Sequence, residues 1–124
     1  IKPELKYTKD HEWIEIDGKI ATVGITDYAQ GELGDIVYVE IETLDENLEK
    51  EEVFGSVEAV KTVSDLFLPV SGKIVEVNQK IENSPEIINE DPYNDGWIIK
   101  MEIENEEELN ELLDADAYSK LIGL

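Results

Sequence analysis

The chain has 124 residues, 31 of them acidic against 10 lysines, no cysteine, and a formal net charge of −21. This length suits a single domain spanning residues 1–124, and proportions of 41% hydrophobic and 33% charged residues are those of a folded globular protein. The negative charge disfavours nucleic acid and anionic membranes as partners, and the lack of cysteine excludes disulfides, thiolate metal sites and a thiol nucleophile.

The first elements are predicted from alternation and from turn and cap signals. Residues 11–17 alternate apolar and polar positions, end in an Asp-Gly turn signal at residues 17–18, and continue as a second β-rich run over residues 19–25. Thr26 is a favourable N-cap for a short helix near residues 27–33, which a following glycine closes. The pattern therefore predicts two antiparallel strands followed by one or two helical turns.

The middle of the chain is predicted as further strands joined by polar segments. Residues 36–41 are rich in β-branched and aromatic side chains and are predicted as a strand, whereas the acidic residues 42–52 lack a clear period and are predicted as an exposed loop. Pattern alone predicts one long strand over residues 53–68, because no Gly, Pro or Asn marks a turn near its centre. A Pro-Val-Ser-Gly turn at residues 69–72 separates it from a strand over residues 73–77.

The C-terminal third combines a connection, a strand and a helix. Residues 78–92 carry Asn, Pro, Ser and acidic residues and are predicted as an irregular connection, and a strand is predicted over residues 97–103. Asn105, followed by three glutamates, is a helix start whose acids suit the positive end of the helix dipole. Leucines at helical spacing continue the apolar face of this helix: Leu109, Leu112, Leu113 and Leu121. Many short strands with little helix predict a mainly β fold.

Motifs for catalysis and metal binding are missing from the sequence. His11 is the only histidine, which excludes an HExxH zinc site, and there is no P-loop, GxGxxG or GxSxG motif. The acidic residues near positions 89–95 do not have EF-hand spacing, so no metal is expected. His11 is expected to be structural, and Trp13 and Trp97 are expected to pack in the core or against a hairpin. An enzyme is therefore disfavoured.

One segment resembles a known family of carrier proteins. Residues 55–65, Gly-Ser-Val-Glu-Ala-Val-Lys-Thr-Val-Ser-Asp, resemble the lipoylation hairpin of the glycine cleavage H proteins, and residues 69–78 are also similar to that family. Further matches follow in the same order along nearly the whole chain: Lys6-Tyr7, His11-Glu12-Trp13, residues 23–29, residues 89–93 and Gly96-Trp97. By these ordered matches the chain is identified as a member of the family.

The resemblance implies both a fold and an attachment site. It implies a barrel-sandwich of two antiparallel sheets, with Lys61 at a hairpin tip and joined to lipoate by an amide bond. Small and β-branched neighbours would hold the lysine outward, where a modifying enzyme can reach it. The family's cleft residues, which stabilise the carried aminomethyl group, match Glu12 and Asp65. Asp10 stands at a neighbouring position that is often serine, and it either adds an anion to the cleft or points away.

The resemblance also implies a shuttle with defined partners. Glycine decarboxylase loads an aminomethyl group, aminomethyltransferase removes it, dihydrolipoamide dehydrogenase reoxidises the dithiol, and lipoate-attaching enzymes supply the cofactor. The chain itself would catalyse none of these steps. A monomer is expected, and since no signal peptide is visible at the start of the sequence, the expected location is the cytoplasm, or the mitochondrial matrix in a eukaryote.

Several other functions are compatible with parts of the sequence. Biotinyl domains carry Met-Lys-Met and the lipoyl domains of 2-oxoacid dehydrogenases typically carry Asp-Lys, whereas Val60 and Thr62 flank Lys61 here. An H-like lipoyl protein of lipoate relay or sulfur metabolism is an alternative, as is an acidic interaction module whose lysine is never modified. A hydrolase that uses His11 is the least favoured alternative.

Overall fold

The computed structural model describes residues 2–123 and places most of them in two antiparallel sheets; residues 1 and 124, the ends of the predicted domain, lie outside the described residues. The strands are β1 (Lys6–Tyr7), β2 (Glu12–Asp17), β3 (Ile20–Ile25), β4 (Ile36–Glu40), β5 (Asn47–Leu48), β6 (Val53–Ala59), β7 (Val63–Phe67), β8 (Gly72–Val77) and β9 (Ile99–Ile103). The helices are α1 (Asp27–Leu33), α2 (Gln79–Asn83), α3 (Ile87–Glu90) and α4 (Ala115–Leu121), with a 3-10 helix over Glu106–Glu111. Among residues 2–123, none of the helices has the length and apolar character needed to span a bilayer.

One apolar core joins the two sheets. The larger sheet has the order β1-β2-β3-β9-β8-β5, and the smaller one has the order β4-β6-β7. Val23 and Met101 of the larger sheet are buried in the same cluster as Val57 and Leu66 of the smaller one. Because each sheet turns one face inward, alternate residues of its strands are apolar. This arrangement confirms the predicted mainly β fold of two antiparallel sheets, with a short helix after β3 and a helix near the C-terminus.

The first hairpin and helix form as the sequence predicts. β2 and β3 pair with Asp17 opposite Ile20, and Gly18 takes a φ of 64° in the turn between them. The Thr26 hydroxyl accepts a hydrogen bond from the Ala29 N–H at 3.1 Å and so caps α1. Gly34, with a φ of 80°, ends the helix. Both positive φ values lie where glycine has little steric cost.

The prediction of one continuous strand over residues 53–68 is wrong. The chain reverses at Val60 and Lys61, so that β6 and β7 form an antiparallel hairpin. The Ala59 N–H donates to the Thr62 carbonyl at 2.7 Å, and the Val60 N–H donates to the Asp35 carbonyl at 3.1 Å. The second bond comes from outside the hairpin, which explains why residues near Lys61 carry no turn signal of their own.

Two segments predicted to lack regular structure contain short elements. Within the acidic segment 42–52, β5 pairs with the start of β8, and within residues 78–92 the chain forms α2 and α3. The Asn78 side chain caps α2 by accepting from the Lys80 N–H, and its amide donates to the carbonyls of Asp95 and Trp97 at 2.8 and 2.7 Å. Asn78 was the local signal for this helix, since Asn is a preferred N-cap.

The C-terminal helix begins where predicted but is interrupted. Asn105 caps the first turn, which is a 3-10 helix, and α4 starts anew after Asp114. Between them, Leu113 and Tyr7 exchange two backbone hydrogen bonds of 2.8 Å, as a residue pair in a sheet does. This pairing requires an extended backbone at Leu113, so one continuous helix cannot form. The apolar spacing of the leucines indicated helix but not this break.

Trp13 and Gly24 form a close contact between β2 and β3. They are paired across the two strands, and a Cβ atom placed on Gly24 would lie 2.6 Å from the Trp13 ring. Trp13 is buried, and its indole N–H donates to the Pro92 carbonyl at 2.9 Å. Trp97 packs at the edge of the same cluster, with the Lys100 ammonium 5.1 Å from its ring centre. The expectation that both tryptophans pack structurally is confirmed.

We expect Gly24→Ala to lower the free energy of unfolding by about 1–3 kcal/mol, because the added methyl group overlaps the Trp13 ring. Gly31→Ala is a matched control on the exposed face of α1, where a Cβ meets nothing within 4 Å. That variant should be neutral or more stable by up to about 1 kcal/mol. Urea denaturation followed by tryptophan fluorescence measures both values, and equal stability of the two variants would contradict this packing.

Candidate functional site

Lys61 lies at the exposed tip of the β6-β7 hairpin. Its neighbours Val60 and Val63 are 72% and 61% exposed, so the tip projects away from the core. Below the tip, Val57 and Leu66 are buried and hold the base of the hairpin in the fold. The lysine thus stands on an ordered support while its own side chain is accessible. An exposed amine on a defined loop is the arrangement that a modifying enzyme requires.

A network around Asn89 positions the hairpin tip from outside. The Asn89 side chain accepts from the Ile36 N–H at 2.9 Å and donates to the Gly34 carbonyl at 2.9 Å. It therefore fixes the connection between α1 and β4, in which Asp35 binds the Val60 N–H. Asn89 was recognised in sequence only as part of a motif, and no sequence signal linked it to the tip. The nearby Asp91 carboxylate accepts hydrogen bonds from the Asn94 side-chain amide and from the Asp95 N–H.

A cleft of about 140 Å³ runs beside β7 below the tip, and we call it the arm cleft. It is lined by the three acids singled out from the sequence: Asp10 just before β2, Glu12 in β2 and Asp65 in β7. Apolar side chains form much of the remaining wall, namely Ile25, Ala29, Leu33 and Leu66. The cleft therefore combines a hydrophobic surface with carboxylates. Such a surface suits a ligand that has an apolar body and a cationic end.

Glu12 is buried between the two sheets. Only 2% of its surface is exposed; one carboxyl oxygen accepts from the Phe67 N–H at 2.9 Å, and the other accepts from the Thr8 hydroxyl at 3.1 Å. Burial raises the pKa of the Glu12 carboxyl to about 8; the hydrogen bond from Phe67 opposes this effect, and the charge of Asp10 adds to it. Glu12 is therefore largely protonated at neutral pH.

Asp65 and Asp10 differ from Glu12 because both are exposed. Asp65 lies in β7 opposite Ser56, about four residues from Lys61 along the strand. Asp10 lines the arm cleft, and its charge raises the pKa of Glu12. A second cavity of about 320 Å³ lies on the other side of Asp10 and Glu12, next to Lys50 and Leu68. Glu12 thus forms part of the wall between two cavities.

His11 also lines the arm cleft, and its ring packs against two tyrosines. Its Nδ1 lies 2.9 Å from the Tyr118 hydroxyl, and its ring centre is 4.8 Å from that of Tyr28. The backbone φ of His11 is 67°, in the left-handed region. Sequence patterns did not identify Tyr118 or Thr8 as part of this site. The partners of Tyr118 are distant in sequence, and the hydrogen bonds of Thr8 depend on a turn geometry that the pattern does not encode.

Comparisons with known proteins show the family of the chain. The sequence profile of the family described as "Glycine cleavage H-protein" matches residues 5–123. Proteins named glycine cleavage system H protein from Staphylococcus epidermidis and Staphylococcus haemolyticus are 56% and 53% identical over 123 residues, which cover 99% of this chain and 98% of each relative. A crystal structure of a glycine cleavage system H protein from Mycobacterium marinum superposes with a TM-score of 0.88 at 39% identity and covers 100% of both chains.

The raised pKa of Glu12 predicts a specific pH dependence of stability. Because the folded chain holds this proton up to about pH 8 and the unfolded chain releases it near the ordinary value of 4.5, the native state binds more protons between these values. The contribution of Glu12 to stability is therefore present at low pH and is lost as pH rises, by up to about 1.4 kcal/mol per pH unit. Glu12→Gln removes this dependence and keeps an oxygen acceptor for the Phe67 N–H.

From about pH 5 to pH 8, the free energy of unfolding of wild type should therefore fall relative to that of Glu12→Gln. Urea denaturation at several pH values measures it. Glu15→Gln is a matched control, since Glu15 is an exposed acid on the same strand, and its difference from wild type should stay nearly constant. A constant difference for Glu12→Gln as well would contradict a buried carboxyl with a raised pKa.

Proposed function

The chain belongs to the glycine cleavage H-protein family, whose members are non-catalytic lipoyl carriers of the glycine cleavage system, and we propose that Lys61 bears the lipoyl group. When bound, the lipoyl group supplies a dithiol for carrying an aminomethyl group. The observation that carries the proposal is the position of Lys61, exposed at the tip of an ordered hairpin whose β7 strand leads directly into the arm cleft. We further propose that residues 1–124 act as one lipoyl-carrier domain.

The residues of the cleft fit a lipoyl-lysine in length and in chemistry. Twelve covalent bonds separate the Cα of such a lysine from its first sulfur, which corresponds to ~14 Å at the advance per bond of an extended chain. Asp65, in β7, comes four residues after Lys61, a separation of at most ~13 Å at the rise of a strand. The apolar wall around Leu33 and Leu66 suits the hydrocarbon part of the arm, and the carboxylates suit its aminomethyl end.

Glu12, Asp65 and Asp10 are proposed to stabilise the aminomethyl cation. Glu12 is largely neutral before the cation arrives, because burial raises its pKa to about 8. A cation close to the carboxyl favours its ionised form, so docking would release the proton and create a charge-assisted hydrogen bond within a partly dry cleft. Asp65 and Asp10 are exposed and act through their negative charges. The cleft would thereby protect the aminomethyl group from water between enzymes.

The partners of the protein can be inferred from its place in the glycine cleavage system. We propose that these are glycine decarboxylase, aminomethyltransferase, dihydrolipoamide dehydrogenase and a lipoate-attaching enzyme, each acting on the same hairpin tip. The net charge of −21 would favour encounters with partners that present basic surfaces. We also propose that the protein acts as a monomer in the cytoplasm.

We expect protein purified from its own cells to carry one lipoyl adduct, observed by intact mass spectrometry. Lys61→Arg keeps the positive charge and should abolish the adduct completely, since an arginine side chain does not form the amide. Lys73→Arg is a matched control at an exposed lysine of β8, and it should keep the adduct. An adduct that persists in Lys61→Arg, or that is missing from wild-type protein of the native source, would falsify the assignment of Lys61.

We expect Glu12→Gln and Asp65→Asn to release the aminomethyl group about tenfold faster than the wild type, because each loses a charge-assisted hydrogen bond or an attractive charge. The protein is loaded with labelled glycine by glycine decarboxylase, separated from the enzyme, and sampled over time for free label. Glu15→Gln, which changes a charge on β2 outside the cleft, should release at the wild-type rate. Release at that same rate from both cleft variants would remove these acids from the proposed site.

A further inference from the structure

A chain of hydrogen bonds connects α1, α4 and His11 beside the arm cleft. The Ala29 N–H donates to the Thr26 hydroxyl oxygen at 3.1 Å, the Thr26 hydroxyl lies 2.7 Å from the Tyr118 hydroxyl, and the Tyr118 hydroxyl lies 2.9 Å from His11 Nδ1. Thr26 and Tyr118 are fully buried, and Tyr118 stacks on Tyr7 with ring centres 4.7 Å apart. We call this chain the Thr26–Tyr118–His11 relay.

The proton positions in the relay follow from the buried hydroxyl of Thr26. Its oxygen already accepts from Ala29, and among residues 2–123 the Tyr118 oxygen is the acceptor within reach of its proton. Thr26 therefore donates to Tyr118, and Tyr118 donates to His11 Nδ1. The opposite direction would leave the buried Thr26 proton without an acceptor, which costs about 1–3 kcal/mol.

We infer that the relay makes His11 a binding residue of the arm cleft, fixing Nδ1 as the acceptor and the proton on Nε2, so that this N–H is a donor to the docked arm. The inference rests on the proposed function of Lys61. Because Nδ1 accepts from Tyr118, a neutral ring carries its proton on Nε2. His11 lines the cleft, its Nδ1 is engaged by Tyr118, and none of the hydrogen bonds among the described residues uses Nε2, which leaves this nitrogen available to a ligand.

A neutral donor complements the other groups of the cleft. Its acids, Asp10, Glu12 and Asp65 with Glu32 of α1, offer acceptors and negative charge to a cation. The uncharged acceptor atoms of the arm, its amide oxygen and free sulfur, need a donor instead, and His11 supplies it without the positive charge that would repel an ammonium group. Tyr28 packs on the same ring from α1 at a ring-centre distance of 4.8 Å and limits its rotation.

The first test concerns the relay alone and uses the unmodified protein. His11 is the only histidine, so the two imidazole nitrogens can be assigned without ambiguity by 15N NMR. We expect the Nε2–H tautomer in wild type and a mixture of tautomers in Tyr118→Phe, which removes the donor to Nδ1. Tyr7→Phe is a matched control, because it removes a hydroxyl from the same stacked ring pair but outside the relay. An unchanged tautomer in Tyr118→Phe, or an Nδ1–H tautomer in wild type, would overturn the inference.

The second test separates a donor to the arm from a purely structural role. In His11→Asn the amide oxygen can accept from Tyr118 in place of Nδ1, and Asn tolerates the φ of 67° at this position. Its remaining donor, Nδ2, takes the position of ring Cδ2 and no longer reaches as far as Nε2. We expect this variant to fold with wild-type stability and to release the aminomethyl group roughly two- to tenfold faster, the effect of one neutral hydrogen bond. Release at the wild-type rate would overturn the donor role. Failure of lipoylation at Lys61 would instead be seen by mass, with the tautomer measurement unaffected.

Discussion

The buried Glu12 carboxyl joins the two sheets where the hairpin with Lys61 leaves the fold. Phe67 belongs to β7, an edge strand of the smaller sheet, and its N–H is satisfied by a side chain of the larger sheet. Thr8, which binds the other carboxyl oxygen, also accepts the N–H groups of Asp10 and Glu12 and so shapes the turn before β2. The same side chain that would receive the aminomethyl cation therefore also fixes both walls of its cleft.

The fold separates an ordered base from an accessible tip. β6 and β7 are anchored by buried residues such as Phe54 and Leu66. The tip is held by one backbone bond to the Asp35 carbonyl, which Asn89 positions through Ile36 and Gly34. An arm attached at this tip has its origin fixed relative to the cleft, so only the arm itself loses freedom on docking. The fixed attachment point lowers the entropic cost of docking the loaded arm. The arm itself can still swing out of the cleft toward an enzyme.

Local sequence rules were sufficient where the determinants are local. The β2-β3 hairpin and α1 follow from alternation, from the turn at Gly18 and from the Thr26 cap, and all of these act within a few residues. The reversal at Lys61 depends on Asp35 and the break before α4 depends on Tyr7, so pattern alone could not place either. For the site, the family resemblance indicated Lys61, Glu12, Asp65 and Asp10, but the burial of Glu12 and its bond to Phe67 arise only when the two sheets meet.

The excess of acids is compatible with this fold because its charges are spread over the surface and contribute little to the core. Ion pairs within residues 2–123 are Lys50 with Glu111 at 2.9 Å and Lys80 with Asp95 at 3.8 Å, both at partly or fully exposed positions and therefore of small energetic value. Stability must come from the apolar core and the buried hydrogen bonds. The unpaired acids are left to act together as a negative field, which favours retention of a cationic cargo at close range and approach of basic surfaces at longer range. In a carrier, one charge pattern can serve both holding and delivery, because the first acts at close range inside the arm cleft and the second acts through solvent that screens it beyond about 10 Å.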